Sequence, residues 1–439
     1  MSAESPAKRP LAVLYAMGCR LNHAEAAKIA GALEAIGWDV LESGETPPRR
    51  AGAYVLHSCA VTAEAGREAL RRVRAAVRAG VRTVVVSGCA ASVAAEEFLA
   101  QGAGVVLSRR APPLAPPLPG CTEEERLAYA VDSGQRGSSS AAPAYSSVRA
   151  PVKIQDGCSF RCSYCIVPEA RGAPASRPLG EILRECEELV RRGYREIVLT
   201  GVNAAFWRDG GATLPELVRR VAGVPGLLRV RLGSVEPGTH EEELALLASR
   251  PGSKLCPFFH LPLQSGSDRV LSAMRRHYDS AAFKAAVETV LRSEPMAGLG
   301  TDVMTGFPGE TEEDFGLTEL LLRSLPFSNL HVFPYSERPG TPASVMPGAV
   351  PVGTRRERAR RLAALGREKR AEFARAFVGR RVKVLVERVS PDGLATGWTG
   401  EYLGAAIAGM EPSSVGSLAE AVAEDASATG VLRCRLSPA

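Results

Sequence analysis

Cys158, Cys162 and Cys165 directly follow the short apolar segment PVKIQ, in the stretch KIQDGCSFRCSYCIVPEARG. This C-x3-C-x2-C run constrains the chain more than any other feature. Three thiolates closing on a tight loop can hold three irons of a [4Fe–4S] cluster, and with no fourth cysteine nearby one iron stays open to bind a small molecule. The competing readings are a structural zinc site, a disulfide pair, or three cysteines packed as small hydrophobes. Zinc takes four ligands, usually supplied by C-x2-C pairs, and neither Tyr164 nor the strand before Cys158 fits a zinc knuckle.

The pattern around the loop predicts a mixed α/β chain. From Pro151 onward, apolar strands at PVKIQ, REIVLTG, LLRVRLGS, PFFHLPLQ, LGTDVMTG and NLHVFPY alternate with helical stretches such as Leu179–Arg192 and Thr311–Ser324, giving six βα units. Residues 10–120 show the same alternation in LAVLYAM, AYVLHS and TVVVSG, which predicts a small doubly wound α/β domain. Between them, residues 121–150 follow APPLAPPLPG and include GQRGSSSAAPAYSS, the composition of a loose connection. The βα region with its basic helix is expected over 151–376, and short β patterns such as RRVKVLVERV over 377–439 predict a small antiparallel barrel.

A second cysteine set emerges from the first domain. Cys19 ends the first predicted strand (AMGCRLN), Cys59 the second (LHSCAVT) and Cys89 the third (VVSGCAA). Parallel strands bring their carboxyl ends to one edge of the sheet, where such folds place ligands, so three thiolates can converge there. The alternative is three buried cysteines, a common fate of this residue. Cys121, Cys186, Cys256 and Cys434 lack such a context and are read as non-ligands.

Charge distribution bears on partners. Residues 355–375 carry nine Lys or Arg against three Glu, and residues 67–82 six Arg against one Glu. Either stretch can be a solvated helix face, but two Arg-rich helices in one chain favour a nucleic-acid partner. No apolar run reaches the roughly 18 to 20 residues of a membrane span, and Met1–Pro10 has no signal-peptide core, so a soluble, cytoplasmic protein is expected.

These motifs resemble the radical S-adenosylmethionine (SAM) superfamily, whose signature is the three-cysteine loop. The resemblance implies a partial (β/α)6 barrel, SAM bound through the open iron, and reductive cleavage of SAM to a 5′-deoxyadenosyl radical. With Cys19, Cys59, Cys89 and a terminal barrel resembling the RNA-binding TRAM module, nearly the whole chain resembles the methylthiotransferases. In that family, a second [4Fe–4S] cluster carries sulfur. Within it, the strings LTGVN, VRLGSVEP, HLPLQSGSDRVLSAMRRHY, TDVMTGFPGETEEDF and HVFPYSERPGTPA are most similar to members that modify C2 of N6-threonylcarbamoyladenosine at position 37 of tRNA. AAFWRDGG after LTGVN departs from the Gly-Tyr-Gly character of the family. The implied partners are the tRNA anticodon loop, an electron donor such as flavodoxin or ferredoxin, and a sulfur source.

SAM needs backbone polar groups, small residues and a carboxylate around it. The candidates at strand ends are Thr200, Gly201, Asn203, Ser234, Glu236, Gln264, Ser265, Gly266 and Asp302. For Glu236 and Asp302 a helix cap or buried ion pair competes with a ligand role. GFPGET is either a close approach to adenine or a tight βα turn, and His260 and His277 are read as structural or solvated. Three rival functions stand beside this reading: modification of isopentenyladenosine in tRNA, modification of ribosomal protein S12, and a non-catalytic Fe–S RNA-binding scaffold. S12 is basic and should prefer an acidic terminal barrel, yet residues 376–439 hold six Lys or Arg and seven Asp or Glu. The complete cysteine loop argues against the scaffold.

Overall fold

The computed structural model describes residues 9–44, 51–137 and 147–437. The chain forms two compact units, one of residues 1–146, 156–160 and 165–175, the other of residues 147–155, 161–164 and 176–439.

In the first unit the elements run β1 (Leu11–Ala16), α1 (Arg20–Ala35), β2 (Asp39–Glu42), β3 (Ala53–Ser58), α2 (Ala63–Arg78), β4 (Thr83–Gly88), α3 (Cys89–Val93), α4 (Ala95–Ala100), β5 (Val105–Val106) and α5 (Glu123–Arg136). The strands form one parallel sheet in the order β2-β1-β3-β4-β5. Alternation along each strand sends residues to opposite faces. Ala12, Leu14, Ala53, Val55 and Val85 pack with α1 and α5, while Val13, Tyr54, Leu56, Val84 and Val86 pack with α2 and α4. Helix α5 corrects one expectation, because it lies within the stretch read as a loose connection. Its start is fixed by a capping box of Thr122 and Glu125, and Gly134 lets it approach so closely that a Cβ there would sit 2.7 Å from the Ile29 Cα. The remaining SSSAAPAYS part of that stretch, residues 138–146, lies outside the described residues.

The chain continues through β6 (Arg149–Asp156), α6 (Val167–Arg171), β7 (Ala175–Ser176), α7 (Leu179–Arg191), β8 (Glu196–Gly201), β9 (Arg208–Asp209), β10 (Ala212–Thr213), α8 (Leu214–Ala222), β11 (Arg229–Leu232), α9 (Glu241–Ala248), β12 (Phe258–His260), α10 (Asp268–Ala273), α11 (Ser280–Ser293), β13 (Gly298–Thr305), α12 (Glu312–Ser324), β14 (Asn329–Pro334) and α13 (Val352–Arg375). All six expected strands are present. They run parallel in the order β6-β8-β11 and β12-β13-β14, and bridges Val230↔Leu255 and Ser234↔His260 join the two halves. The result is a partial barrel whose strand carboxyl ends share one rim.

A closed barrel follows, β15 (Arg381–Val389), β16 (Ala395–Thr399), β17 (Gly404–Ile407), β18 (Leu418–Ala426) and β19 (Val431–Leu436), in the order β15-β16-β17-β19-β18. Four pairings are antiparallel as expected; β17 and β19 pair in parallel, because the chain crosses to β18 before returning. This barrel meets the amino ends of the other strands. Arg229 donates to the Trp398 carbonyl at 2.7 Å, Arg231 to that of Gly400 at 2.9 Å, and Tyr402 packs on Phe258 at 4.9 Å. The opposite rim is left for chemistry.

Candidate active site

In the first unit, β1, β3 and β4 are neighbours, and each ends in one of the three cysteines. Cys19 is the N-cap of α1, Cys59 follows β3, and Cys89 opens α3. Burial pushes the Cys59 thiol up to about 11; the Val61 amide, donating to its Sγ at 3.4 Å, acts against this, and the nearby Cys89 and Cys19 sulfurs add to it. Two glycines make the convergence possible. Gly18 has φ +103°, and a Cβ there would lie 2.7 Å from the Cys59 Sγ; Gly88 has φ +85°, and a Cβ there would lie 2.8 Å from the Ser58 nitrogen.

Behind these sulfurs lies a buried polar network that sequence reading missed. Arg171, whose side chain is 2% exposed, donates from Nε to Cys89 Sγ at 3.1 Å, from Nη1 to Glu25 Oε1 at 3.0 Å and Asp156 Oδ1 at 2.9 Å, and from Nη2 to Asn22 Oδ1 at 2.6 Å and Glu25 Oε2 at 3.2 Å. Arg109 joins the same two carboxylates. His57 lies between Glu25 Oε2 at 3.0 Å and Ser87 Oγ at 2.9 Å, and burial lowers its pKa, so the neutral ring prevails. Asn22 donates to the carbonyls of Met17 and Ser58, tying the ends of β1 and β3 together.

The C-x3-C-x2-C loop follows β6. Phe160 N donates to Cys158 Sγ and Val167 N to Cys165 Sγ, each at 3.4 Å. Residues 161–164 are pinned in the second unit, where Ser163 N donates to the Met274 carbonyl at 3.0 Å and Ala343 N to the Ser163 carbonyl at 2.8 Å. Arg276 donates to Cys162 Sγ at 3.3 Å and to Glu236 Oε1 at 2.6 Å, with its guanidinium 4.8 Å from the Tyr278 ring centroid. Glu236 therefore forms the ion pair that competed with a ligand role, and it does so one residue from a cysteine sulfur.

The other candidates divide by their surroundings. Thr200 and Gly201 end β8, and Asn203 N donates to Gln155 Oε1 at 2.8 Å; Ser234 bridges to His260. Gln264 takes φ +70° and buries an Oε1 that has no hydrogen-bond partner among the described residues. Ser265 and Gly266 instead meet α12, through Thr318 Oγ1 at 3.3 and 2.9 Å, and a Cβ on Gly266 would lie 2.6 Å from the Thr318 Cα. Asp302 is not at a strand end but within β13, between His331 Nδ1 at 2.8 Å and His260 Nε2 at 3.2 Å. Burial raises its pKa, yet the two histidines hold the carboxyl well below the usual range, and the Asp302 bond raises that of His331. The GFPGET stretch is a packing turn: Glu310 accepts from Gly306 N at 2.9 Å and Arg358 Nη1 at 2.7 Å. In AAFWRDGG, Trp207 is fully buried and donates to the Arg177 carbonyl, and Asp209 caps α7 through Leu179 N.

With this geometry in view, residues 152–322 match the model of the Radical SAM superfamily and residues 12–108 that of Uncharacterized protein family UPF0004. The chain is 32% identical over 434 residues to the threonylcarbamoyladenosine tRNA methylthiotransferase MtaB of Thermotoga maritima, covering 95% of both chains. It is 31% identical over 426 residues to MtaB of Bacillus subtilis, covering 90% of each. The chain belongs to the radical SAM methylthiotransferase family. It is an enzyme. A radical SAM methyltransferase, TsrM from Kitasatospora setae with tryptophan and a SAM analogue, shares the fold at TM-score 0.54 and 15% identity, covering 77% of this chain and 75% of its own.

The radical SAM methylthiotransferase fold implies SAM and a [4Fe–4S] cluster, and the donors present suit them. All three loop sulfurs accept an amide or guanidinium N–H, the kind of bond that tunes a cluster. Among the described residues no group of three His, Cys, Asp or Glu side chains could hold a single metal ion. A cluster spreads its thiolates over separate irons. The orphan Gln264 Oε1, on the rim, is a buried acceptor that no described residue satisfies.

The basic helix also resolves into two faces. Arg355, Arg358 and Lys369 of α13 are buried, and with Arg361 they bond to Glu310, Glu312, Glu319, Glu337 and backbone carbonyls. Arg356, Arg360 and Arg367 fall on one exposed face, with no ion-pair partner among the described residues. On α2, Arg67, Arg71, Arg74 and Arg78 form a similar exposed stripe, in which Arg71 pairs with Glu68. Among the described residues no helix is long and apolar enough to cross a membrane.

Proposed function

We propose that this enzyme replaces the C2 hydrogen of N6-threonylcarbamoyladenosine at position 37 of tRNA with a methylthio group, using two [4Fe–4S] clusters and SAM in the cytoplasm. The carrying observation is that three adjacent parallel strands end in Cys19, Cys59 and Cys89 within a chain that also holds the C-x3-C-x2-C loop. The tRNA substrate is supported by the names of the relatives. When bound, the cluster and SAM at the loop supply the radical and the second cluster supplies sulfur.

The chain's own residues hold and aim these groups. Cys158, Cys162 and Cys165 would hold the first cluster, and Cys19, Cys59 and Cys89 the second. Arg276 fixes the Cys162 sulfur and turns Glu236 toward it. Thr200, Gly201, Asn203, Ser234, Glu236, Gln264 and Asp302 are the proposed surround of SAM and base; Ser265 and Gly266 serve by fixing the turn that presents Gln264. The exposed arginine stripes on α2 and α13 are suited to phosphates, and position 37 is an unpaired loop base that a pocket can receive without melting a helix. By this reading the domains are 10–120, 151–376 and 377–439, and a flavodoxin or ferredoxin would supply electrons alongside a sulfur source.

Mass spectrometry of tRNA nucleosides from cells with and without the protein tests the proposal. Loss of the 2-methylthio derivative of threonylcarbamoyladenosine in its absence is expected. Loss of the isopentenyladenosine derivative, or of modified S12, would reassign the substrate.

A further inference from the structure

The guanidinium of Arg171 has five N–H bonds, and all five are committed: one to the Cys89 sulfur, two to Glu25, one to Asp156 and one to Asn22. An arginine needed only to neutralise buried carboxylates has no reason to direct Nε at a thiol. A second buried cation, Arg109, already serves Glu25 and Asp156. Arg171 also borders the other cysteine set, through Asp156. Asp156 precedes Gly157, and its Oδ1 accepts from Gly157 N at 2.9 Å, while Cys158 N donates to the carbonyl of Gly172 at 3.1 Å. Gly157 takes φ +68°, and a Cβ there would lie 2.6 Å from the Ala173 carbonyl carbon. Residues 156–158 and 171–173 are thus laced together at the mouth of the C-x3-C-x2-C loop. Arg171 is the side chain through which that lacing reaches Cys89.

We propose that Arg171 is a positioning residue shared by both cysteine sets: it donates to the Cys89 sulfur and, through Asp156, fixes the entry of the loop that carries Cys158. The proposal rests on the reading that Cys19, Cys59 and Cys89 hold a second cluster. A charge-assisted hydrogen bond to a cluster thiolate stabilises the reduced, more negative state, so its loss should make that cluster harder to reduce. Displacement of the loop entry should separate radical formation from sulfur transfer, because one guanidinium holds both Cys89 and the Asp156 that precedes Cys158.

Two variants test this, Arg171→Lys and the pair Arg171→Met with Glu25→Gln, the second chosen so that one buried carboxylate is removed with the cation while Asp156 keeps Arg109. In a chain that also carries Cys158→Ala, Cys162→Ala and Cys165→Ala, anaerobic reconstitution should give about four irons. Adding either set of changes should keep that iron, alter the electron paramagnetic resonance spectrum and move the reduction midpoint to a more negative value. With the loop cysteines intact, the ratio of 5′-deoxyadenosine to methylthio product should rise at least about tenfold. An unaltered spectrum, midpoint and product ratio in both variants would overturn the proposal. So would loss of iron together with a large fall in melting temperature in both, since Arg171 would then be a structural ion-pair partner only. If the chain lacking the three loop cysteines binds no iron before Arg171 is touched, the two-cluster reading itself fails.

Discussion

Cys158, Cys162 and Cys165 lie within eight consecutive residues, whereas seventy residues separate Cys19 from Cys89. Their surroundings nevertheless follow one plan. Cys59, Cys158 and Cys165 each accept from the amide two residues further along, a bond that the local turn supplies. In each set one cysteine is instead held by an arginine distant in sequence, Cys162 by Arg276 and Cys89 by Arg171. The difference is in what assembles the sulfurs. A short loop gathers the first set chiefly by spacing, while the second set depends on strand order, on Gly18 and Gly88, and on a buried polar network beneath it. The second set should therefore be more sensitive to changes that touch no cysteine.

The largest effect should come from the loop. Replacing Cys158, Cys162 and Cys165 by alanine should abolish SAM cleavage and reduce bound iron from about eight to about four per chain, measured by iron analysis and Mössbauer spectroscopy. One cluster's worth of iron in the unmutated protein would end the comparison between two sites. Next, Cys19→Ala, Cys59→Ala or Cys89→Ala should eliminate methylthio transfer while 5′-deoxyadenosine is still produced; undiminished transfer would remove that residue from the ligand set.

A sharper test leaves every cysteine in place. Gly88→Ala forces a side chain into a left-handed backbone against Ser58, which should cost about 1 to 3 kcal/mol in stability and lower iron at the first unit, read by thermal melting and iron analysis. Wild-type values would mean that the sheet edge tolerates rearrangement. Reversing charge at Arg356, Arg360 and Arg367 should weaken tRNA binding and flatten its salt dependence by about 2 to 3 in log–log slope, with little change in tRNA-free SAM cleavage. Unaltered binding would move the RNA contact to the α2 stripe or the terminal barrel.

The smallest expected effect concerns Asp302 and His331. The Asp302 pKa is depressed, so its contribution to stability is present above the unfolded carboxylate value and lost as pH falls through the depressed one. The His331 pKa is raised, so its contribution is present below the unfolded histidine value and lost as pH rises through the raised one. His331→Ala should therefore lower the melting temperature slightly near pH 6 and hardly at all near pH 9. An equal effect at both pH values would show that the ion pair does not contribute.

Much of this enzyme was legible before any coordinates. The six barrel strands, the three-layer first unit, the cysteine loop and the strand-end placement of Cys19, Cys59 and Cys89 all follow from apolar periodicity and from short spacings, which are local properties. Helix α5 was masked by a Pro-, Gly- and Ser-rich composition on both sides, although Thr122 and Glu125 gave a capping-box signal that could have revealed it. Arg171 and Arg276 lie within the strings that carry the family resemblance, but nothing local marks their role, and Asn22, Glu25 and His57 carry no pattern at all. Composition gave the charge of α13 but not which arginines were already paired. The physical reason is the same in each case. Periodicity and spacing determine which segments become strands, helices and ligand loops, because those depend on near neighbours along the chain. Which buried donor meets which sulfur, and which basic side chains stay free for a phosphate, depends on groups brought together from distant segments, and only the tertiary structure decides it.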